Sequence, residues 1–327
     1  MQHGGNLHDA KALFPEAPEP WLDLSTGINP HPYPLPPLSL DTFTRLPSPQ
    51  SVRHLEGVAA QAYGVPDPSR VAAAPGTQAL IHLLPRLRGT ARVAIVGPTY
   101  SEHERSWQRE GHVVIPVSNL EEALAGAPDV IVAVNPNNPD GRVIDPAQLA
   151  EAASALHRRN GWLVVDEAFA DFADGVSVAP RDIPGTIVLR SFGKAYGLAG
   201  IRLGFAIATP DFAARLRLEL GPWAVSGPAL AVGAKALGDQ TWLLEQKGRL
   251  ARCAHTLDEL LTEAGFQIVG GTTLFRLATH EDAQAWFERL ARRGVWVRAF
   301  DYDPKLLRFG IPSDEAWLRL KQVIGPS

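Results

Sequence analysis

Short runs of valine and isoleucine alternate with longer amphipathic stretches through the middle of the chain. The apolar runs are RVAIVGP, HVVIPVS, DVIVAVNP, GWLVVDEAF and TIVLRSF. Continuous apolar runs of this length are typical of strands buried on both faces of a parallel sheet. Stretches between them, such as GTQALIHLLPRL and DPAQLAEAASALHRRN, have the spacing of helices that bury one face. The pattern predicts an α/β domain in which helices sandwich a mostly parallel sheet.

Both ends of the chain depart from this alternation. The proline-rich stretch NPHPYPLPPL excludes a helix or central strand, whereas WLDLSTGI just before it is apolar enough to pair with another element. Towards the other end, a long helical region leads to FQIVGGTTLFRLAT, EDAQAWFERLARRG, VWVRAF and LLRFGI, which predict a smaller α+β domain. We therefore expect an N-terminal arm over residues 1–40, a large domain over 41–228 and a small C-terminal domain over 229–327, with the arm joined to the small domain.

Composition narrows the class of protein. The chain has 327 residues, 45% of them hydrophobic, with a net charge of -4 and no long basic run, so a globular protein without a nucleic-acid partner is expected. The single cysteine, Cys253, excludes an intramolecular disulfide and lies in an amphipathic stretch, which favours packing over nucleophilic chemistry. No signal-like N-terminus and no run of membrane-spanning length are found, so a cytoplasmic protein without a membrane partner is expected.

Other chemistries lack sequence support. The ten histidines do not show the spacing of metal ligands, so no metal site is expected. No G-x-G-x-x-G follows a predicted strand, which argues against hydride transfer with a dinucleotide.

Polar residues collect where the predicted strands end, which is where ligands bind in such sheets. Lys194 lies in RSFGKAYGLAGIRLGF between two apolar runs, and Asp166 follows WLVV. PGTQAL places Gly76 and Thr77 at a predicted helix start, where backbone N–H groups suit an anion. Each residue has a structural alternative: a solvated turn for Lys194, an ion pair for Asp166 and a helix cap for Thr77.

The residues gain meaning in combination. NPNNPDG supplies Asn138, and Ser191 and Arg202 flank Lys194. An amine for an aldehyde, a carboxylate opposite a ring nitrogen and a cluster of phosphate ligands together describe pyridoxal 5'-phosphate. A carboxylate at Asp166 would keep that nitrogen protonated, so that the ring withdraws electrons from the α-carbon of a substrate.

The order of these residues resembles the aspartate-aminotransferase superfamily of fold type I, and within it the histidinol-phosphate-aminotransferase-like class. The matching positions span most of the chain: Gly76, Thr77, Tyr100, Asn138, Gly141, Asp166, Ser191, Lys194, Arg202 and Arg308. The resemblance implies that Lys194 binds the cofactor covalently and that Tyr100 stacks on its ring. Lys194, Tyr100 and Asp166 are therefore the expected catalytic residues. The resemblance also implies that Arg308 binds the substrate carboxylate and that the protein is a homodimer.

Two N-terminal motifs, HGGN and DLSTGINP, resemble a narrower group, the threonine-phosphate decarboxylases of cobalamin biosynthesis. The resemblance implies substrate-binding roles for His3, Asn29 and Arg298, with disorder and a simple turn as the alternatives at His3 and Asn29. The implied reaction converts L-threonine O-3-phosphate to (R)-1-amino-2-propanol O-2-phosphate. Two other functions stay open: an aminotransferase for histidinol phosphate or a related amino acid, and a non-catalytic regulator that binds pyridoxal phosphate.

Three positions differ from the family pattern. Leu46 stands where many relatives have a tyrosine that reaches the cofactor phosphate of the partner subunit. Phe169 replaces a tyrosine after DEA, and Gly193 replaces a hydroxyl residue before the lysine. The first and third differences predict that phosphate binding depends on Ser191, Thr77 and Arg202.

Overall fold

The computed structural model describes residues 4–325 of the chain. The chain forms two compact units: unit 1 contains the residues up to 32, 139–141 and those from 244 onward, and unit 2 contains residues 33–138 and 142–243. Among the described residues, no helix has the length and apolar character needed to cross a membrane.

The strands of both units are numbered together in chain order. They are β1 (Leu22–Asp23), β2 (Val71–Ala74), β3 (Arg92–Val96), β4 (Val113–Val117), β5 (Val130–Val134), β6 (Trp162–Asp166), β7 (Thr186–Ser191), β8 (Gly204–Ile207), β9 (Gln267–Thr272), β10 (Phe275–Thr279), β11 (Val295–Trp296), β12 (Arg298–Phe300) and β13 (Asp303–Gly310).

The α-helices are numbered in the same way. They are α1 (Leu7–Leu13), α2 (Asp41–Thr44), α3 (Pro49–Ala62), α4 (Thr77–Leu83), α5 (Ser101–Arg109), α6 (Leu120–Ala125), α7 (Pro146–His157), α8 (Phe192–Ala195), α9 (Pro210–Leu220), α10 (Gly227–Gly238), α11 (Gln240–Glu263), α12 (Ala283–Arg292) and α13 (Ala316–Ile324).

Unit 2 is built on a seven-stranded sheet of order β2-β8-β7-β6-β5-β3-β4. Strand β8 runs antiparallel to both of its neighbours, and the other pairs are parallel. The five apolar runs form β3 to β7, which confirms the predicted α/β fold with a mostly parallel sheet. Strand β2 was not predicted because its VAAA sequence has low β-propensity, although all four residues are buried.

The parallel strands bring the polar residues of unit 2 to one edge of the sheet. Strands β6 and β7 are parallel neighbours that end at Asp166 and Ser191. Strand β2 is parallel to β7, since both run antiparallel to β8, and it leads through Gly76 into α4. Fully buried side chains such as Val132 and Val164 fill the layer between sheet and helices.

Helix α10 belongs to unit 2, where it packs on α3. Its Gly233 allows this contact, because a Cβ there would lie 3.2 Å from Leu55 Cδ1 and would collide with the Leu203 side chain. The compact units therefore divide the chain after residues 32 and 243, whereas the sequence predicted boundaries after 40 and 228. The division into an arm, a large domain and a small domain stays a prediction about folding units.

Unit 1 contains a four-stranded antiparallel sheet of order β12-β13-β10-β9. The WLDLSTGI stretch pairs as expected: β1 runs parallel to β11, with Leu22 opposite Val295. The long helical region predicted over 229–264 is divided between α10 and α11 at Asp239. Gly141 has a φ of 74° and lies against the backbone of Gly271, so a side chain at residue 141 would collide with that strand.

Candidate active site

Asp166 is the buried carboxylate at the carboxyl end of β6. It is 3% exposed, its Oδ2 lies 2.9 Å from Nε2 of His103, and its Oδ1 accepts a hydrogen bond from the Ala168 N–H at 3.0 Å. These two contacts fix the orientation of the carboxylate. His103 is itself 1% exposed and was not predicted from the sequence, because it lies on α5 within the strongly polar stretch SEHERSWQRE.

Lys194 lies on α8, just beyond the end of β7. Its Nζ is 5.6 Å from the ring centroid of Phe169, the residue that follows the DEA motif. Gly193 has no room for the hydroxyl residue that relatives carry, because a Cβ there would lie 2.7 Å from Cα of Ala199. The absence of a hydroxyl at residue 193 is therefore a consequence of close backbone packing around Lys194.

The start of α4 lies beside the guanidinium group of Arg202. Gly76 has a φ of 86°, and a Cβ at that position would lie 2.8 Å from an Arg202 guanidinium nitrogen. Gly204 on β8 permits an equally close approach, since a Cβ there would lie 2.7 Å from the Thr77 nitrogen. Ser191, at the end of β7, is 8% exposed. The start of a helix, a serine hydroxyl and an arginine guanidinium group are together suited to binding a phosphate.

Tyr100 lies in the segment that follows β3 at the same edge of the sheet, directly before α5. Its ring lies edge-on to His103 with centroids 6.2 Å apart, and its hydroxyl donates to Oε1 of Gln78 at 3.0 Å. The predicted stacking residue is thus linked to the residue that holds Asp166. Gln78 had no signal in the sequence beyond its place in PGTQAL.

The loop that carries Asn138 is fixed by its neighbouring amides. The Asn135 side chain donates to the carbonyls of Ile144 and Val176 at 3.2 and 3.1 Å. The Asn137 side chain accepts from the Thr99 hydroxyl at 2.6 Å. Asn138 itself is half-buried at the end of this loop.

A buried charged cluster reinforces the ends of β6 and β7. Glu167 is fully buried and accepts from Arg190, Ser177 and the Val178 N–H at 3.0, 2.5 and 2.7 Å. Arg190 also donates to Asp171 at 2.8 Å. Burial raises the pKa of Glu167, whereas the carboxylates of Asp171 and Glu167 raise that of Arg190 against desolvation. The cluster holds the residues next to Asp166 and Ser191 in place.

The predicted substrate residues that the structure describes all belong to unit 1. Arg298 and Arg308 are opposite each other on β12 and β13, and Arg308 donates to the Ser25 carbonyl at 2.8 Å. Burial, with the nearby charge of Arg298, lowers the pKa of Arg308 to about 10. Asn29 is 2% exposed, and its Oδ1 accepts from the His31 N–H at 2.9 Å, so it stabilises a local turn. His3 lies outside the described residues.

The side chains of unit 2 fit pyridoxal phosphate. An amine, a buried carboxylate with fixed orientation, an aromatic residue and a helix start beside an arginine all follow the strand ends at one sheet edge. Leu46, in contrast, is 69% exposed. The roles of the individual residues stay predictions.

Comparison with known proteins gives one consistent family. Residues 37–322 match the family described as aminotransferase class I and II. The chain is 43% identical to a threonine-phosphate decarboxylase of Pseudomonas aeruginosa, covering 98% of this chain and 96% of that protein. It is 44% identical to a threonine-phosphate decarboxylase of Sinorhizobium sp, covering 96% and 94%.

A solved structure shows the same fold. The histidinol-phosphate aminotransferase of Sinorhizobium meliloti, in complex with pyridoxal-5'-phosphate, has a TM-score of 0.84 at 22% identity, covering 97% of this chain and 94% of that chain. The protein therefore belongs to the class I and II aminotransferase family. This membership confirms the recognition made from the sequence, and with it a pyridoxal-phosphate-dependent enzyme of fold type I.

Proposed function

We propose that this enzyme decarboxylates L-threonine O-3-phosphate to (R)-1-amino-2-propanol O-2-phosphate, the reaction of cobalamin biosynthesis implied by its N-terminal motifs. The observation that carries the proposal is the placement of Arg298 opposite Arg308 on adjacent strands. Two neighbouring guanidinium groups suit a small substrate with two acidic groups, and threonine phosphate has a carboxylate and a phosphate. Histidinol phosphate carries only the phosphate. The similarity to two threonine-phosphate decarboxylases supports the same substrate.

In unit 2 the proposed catalytic residues have separate tasks. Bound pyridoxal phosphate supplies a ring that accepts the electron pair left on the α-carbon when carbon dioxide departs. Lys194 holds the cofactor before the substrate arrives and then delivers a proton to the α-carbon. Asp166, oriented by His103, holds a proton at the ring nitrogen. Tyr100 stacks on the ring, and Asn138 donates a hydrogen bond to the ring oxygen.

The phosphate of the cofactor is assigned to the start of α4. Backbone N–H groups after Gly76, the hydroxyls of Thr77 and Ser191, and the guanidinium of Arg202 are its proposed ligands. Since Gly193 cannot carry a hydroxyl and Leu46 cannot donate a hydrogen bond, these ligands have to hold the phosphate without the two contacts that relatives add.

In unit 1 the substrate ligands decide the reaction. A carboxylate held in a fixed direction by an arginine determines which bond of the α-carbon is cleaved, carboxylate or hydrogen. Arg298 and Arg308 are the proposed ligands of the two acidic groups, and His3 and Asn29 are proposed as further substrate-binding residues. A bidentate guanidinium is suited to this task because it fixes both position and angle.

We further infer that the enzyme is a cytoplasmic homodimer. Unit 2 exposes several large apolar side chains, including Phe43, Leu46 and Trp223, which are 63, 69 and 58% exposed. A cavity of about 580 Å³ lies between α3 and the Gly221–Val225 segment and is lined by Trp223 and Pro47. Exposed large apolar side chains support an association surface on this unit. Light scattering of the purified holoenzyme should give twice the mass of the chain.

The reaction is tested by following both possible products. Purified holoenzyme is incubated with L-threonine O-3-phosphate, with and without 2-oxoglutarate, while released carbon dioxide and consumed 2-oxoacid are measured. We expect one carbon dioxide per substrate, unchanged by the 2-oxoacid. Consumption of 2-oxoglutarate with no carbon dioxide would establish an aminotransferase instead, and no turnover of any amino-acid phosphate would favour a non-catalytic role.

A further inference from the structure

Gln78 connects two elements of unit 2 through its side-chain amide. It is the second residue of α4 and follows Thr77 directly. Its Oε1 accepts the hydroxyl hydrogen of Tyr100 at 3.0 Å, although Tyr100 lies 22 residues further along the chain. The bond therefore ties the start of α4 to the residue that precedes α5.

The direction of the Gln78 amide is determined by its other neighbours. Its Nε2 lies 3.1 Å from Oε2 of Glu102 and 2.7 Å from Nε2 of His82. A carboxylate only accepts hydrogen bonds, so the amide nitrogen must face Glu102 and the amide oxygen must face Tyr100. Glu102 is 8% exposed and is paired with Arg105 at 3.1 Å, so it is not free to turn away.

We propose that Gln78 is a positioning residue that sets the tilt of the Tyr100 ring for stacking on pyridoxal phosphate. The inference rests on the proposed role of Tyr100. A phenol held only by packing can swing about its side-chain torsions, whereas a hydroxyl bonded to a fixed amide oxygen keeps the ring in one orientation. Gln78, Glu102 and Arg105 form the chain of contacts that holds the acceptor in place.

A double-mutant cycle tests this role in the full-length protein. The variants are Gln78→Met, Tyr100→Phe and their combination, and the control is Gln108→Leu, which alters an exposed glutamine whose side chain donates to Glu104 on α5. For each variant, the affinity for pyridoxal phosphate is measured by titration of the apoprotein. The induced circular dichroism of the bound cofactor reports the orientation of its ring.

We expect Gln78→Met and Tyr100→Phe each to weaken cofactor binding about three- to tenfold and to change the dichroic band in the same way. The combined variant should match Gln78→Met, because the bond between Tyr100 and Gln78 can be lost only once and Gln78→Met also removes the contacts with Glu102 and His82. Gln108→Leu should match the wild type. Unchanged affinity and dichroism in Gln78→Met, or effects that multiply in the combined variant, would overturn the inference.

A second variant tests the inference if Gln78→Met folds poorly. Glu102→Gln keeps the shape of the side chain but can donate as well as accept, so it no longer fixes the direction of the Gln78 amide and the Tyr100 hydroxyl loses its fixed acceptor. The change should alter the dichroic band in the wild-type background and leave it unchanged beside Tyr100→Phe. If the wild type binds no pyridoxal phosphate, the proposed function fails as well; if it binds normally and every variant matches it, only the role of Gln78 fails.

Discussion

The charges beside the candidate site residues differ between the two compact units. In unit 2, Asp166 is bonded to His103, and Arg190 lies between Glu167 and Asp171. In unit 1, Arg298 and Arg308 are register partners on neighbouring strands, and the pKa of Arg308 is lowered. Like charges directly opposite each other destabilise a sheet, and burial adds to that cost.

This difference in charge indicates that the two units have separate tasks. Paired charges in unit 2 hold the proposed catalytic side chains in fixed directions, which is what a reaction centre needs before any ligand arrives. The adjacent arginines of unit 1 place two positive charges side by side, an arrangement that suits an anionic ligand. Unit 2 is therefore expected to determine whether chemistry occurs at all, and unit 1 to determine which substrate undergoes it.

The expected role of unit 2 in the chemistry is tested most sharply by removing the amine of Lys194. Lys194→Ala should lower kcat for carbon dioxide release on the order of 1,000-fold or more, because it removes both the covalent anchor and the proton donor. Carbon dioxide release is measured on variants loaded with equal cofactor. Lys321→Ala on α13, an exposed lysine of unit 1, is the control and should keep wild-type activity. A kcat in Lys194→Ala comparable to that of the wild type would show that unit 2 does not carry out the chemistry.

The expected role of unit 1 in substrate choice is tested by removing the positive charge of Arg308. Arg308→Met should lower kcat/KM for threonine phosphate about 100-fold or more, because a substrate anion loses a buried charge-assisted partner. The visible absorption of the cofactor should stay unchanged, since the variant leaves unit 2 intact. Arg292→Met, an exposed arginine on α12, serves as control. A large change in the cofactor spectrum with a normal KM would reverse the assignment of the two units.

A smaller effect is expected from His103, the hydrogen-bond partner of the proposed catalytic carboxylate Asp166. His103→Gln should reduce kcat about 10- to 100-fold, the value of a hydrogen bond to a charged group, and should shift the visible band because Asp166 loses its orientation. His112→Gln is a matched control: His112 is also buried in unit 2, but it bonds to the Pro85 carbonyl and the Ala91 N–H. That control should lower the Tm and leave the spectrum unchanged. Identical spectra for both variants would make His103 purely structural.

The smallest effect concerns the stability of unit 1. Inorganic phosphate should raise the Tm of the holoenzyme, because an anion between two arginines relieves their repulsion and binds only the folded protein. The shift should be lost in Arg298→Met and kept in Arg292→Met. A phosphate-dependent shift that survives Arg298→Met would show that the anion binds elsewhere.

Much of unit 2 could be predicted from the sequence because its signals are local. Each buried strand is a continuous apolar run, and Asp166 and Ser191 follow such runs directly, so the carboxyl edge of a parallel sheet gathers them. His103 and Gln78 could not be predicted, because each lies on a helix whose rotation relative to the sheet is set by packing. The polar neighbours of His103 in the sequence also make it look solvent-exposed.

Unit 1 was harder to predict because its contacts are long-range. The pairing of β1 with β11, and of Arg298 with Arg308, depends on strand register, which a single sequence leaves open. The segment 139–141 belongs to this unit although it lies within the NPNNPDG motif, since Gly141 packs on Gly271. No local pattern marks such a change of unit within one loop.

The covalent link between cofactor and chain is the central feature of the proposed active site. Borohydride reduction of the holoenzyme, followed by proteolysis and mass spectrometry, fixes the cofactor to the lysine that holds it. We predict a single modified peptide that contains Lys194, and no modification in Lys194→Ala. Attachment to any other lysine, or an unmodified Lys194 peptide from fully loaded enzyme, would contradict the account.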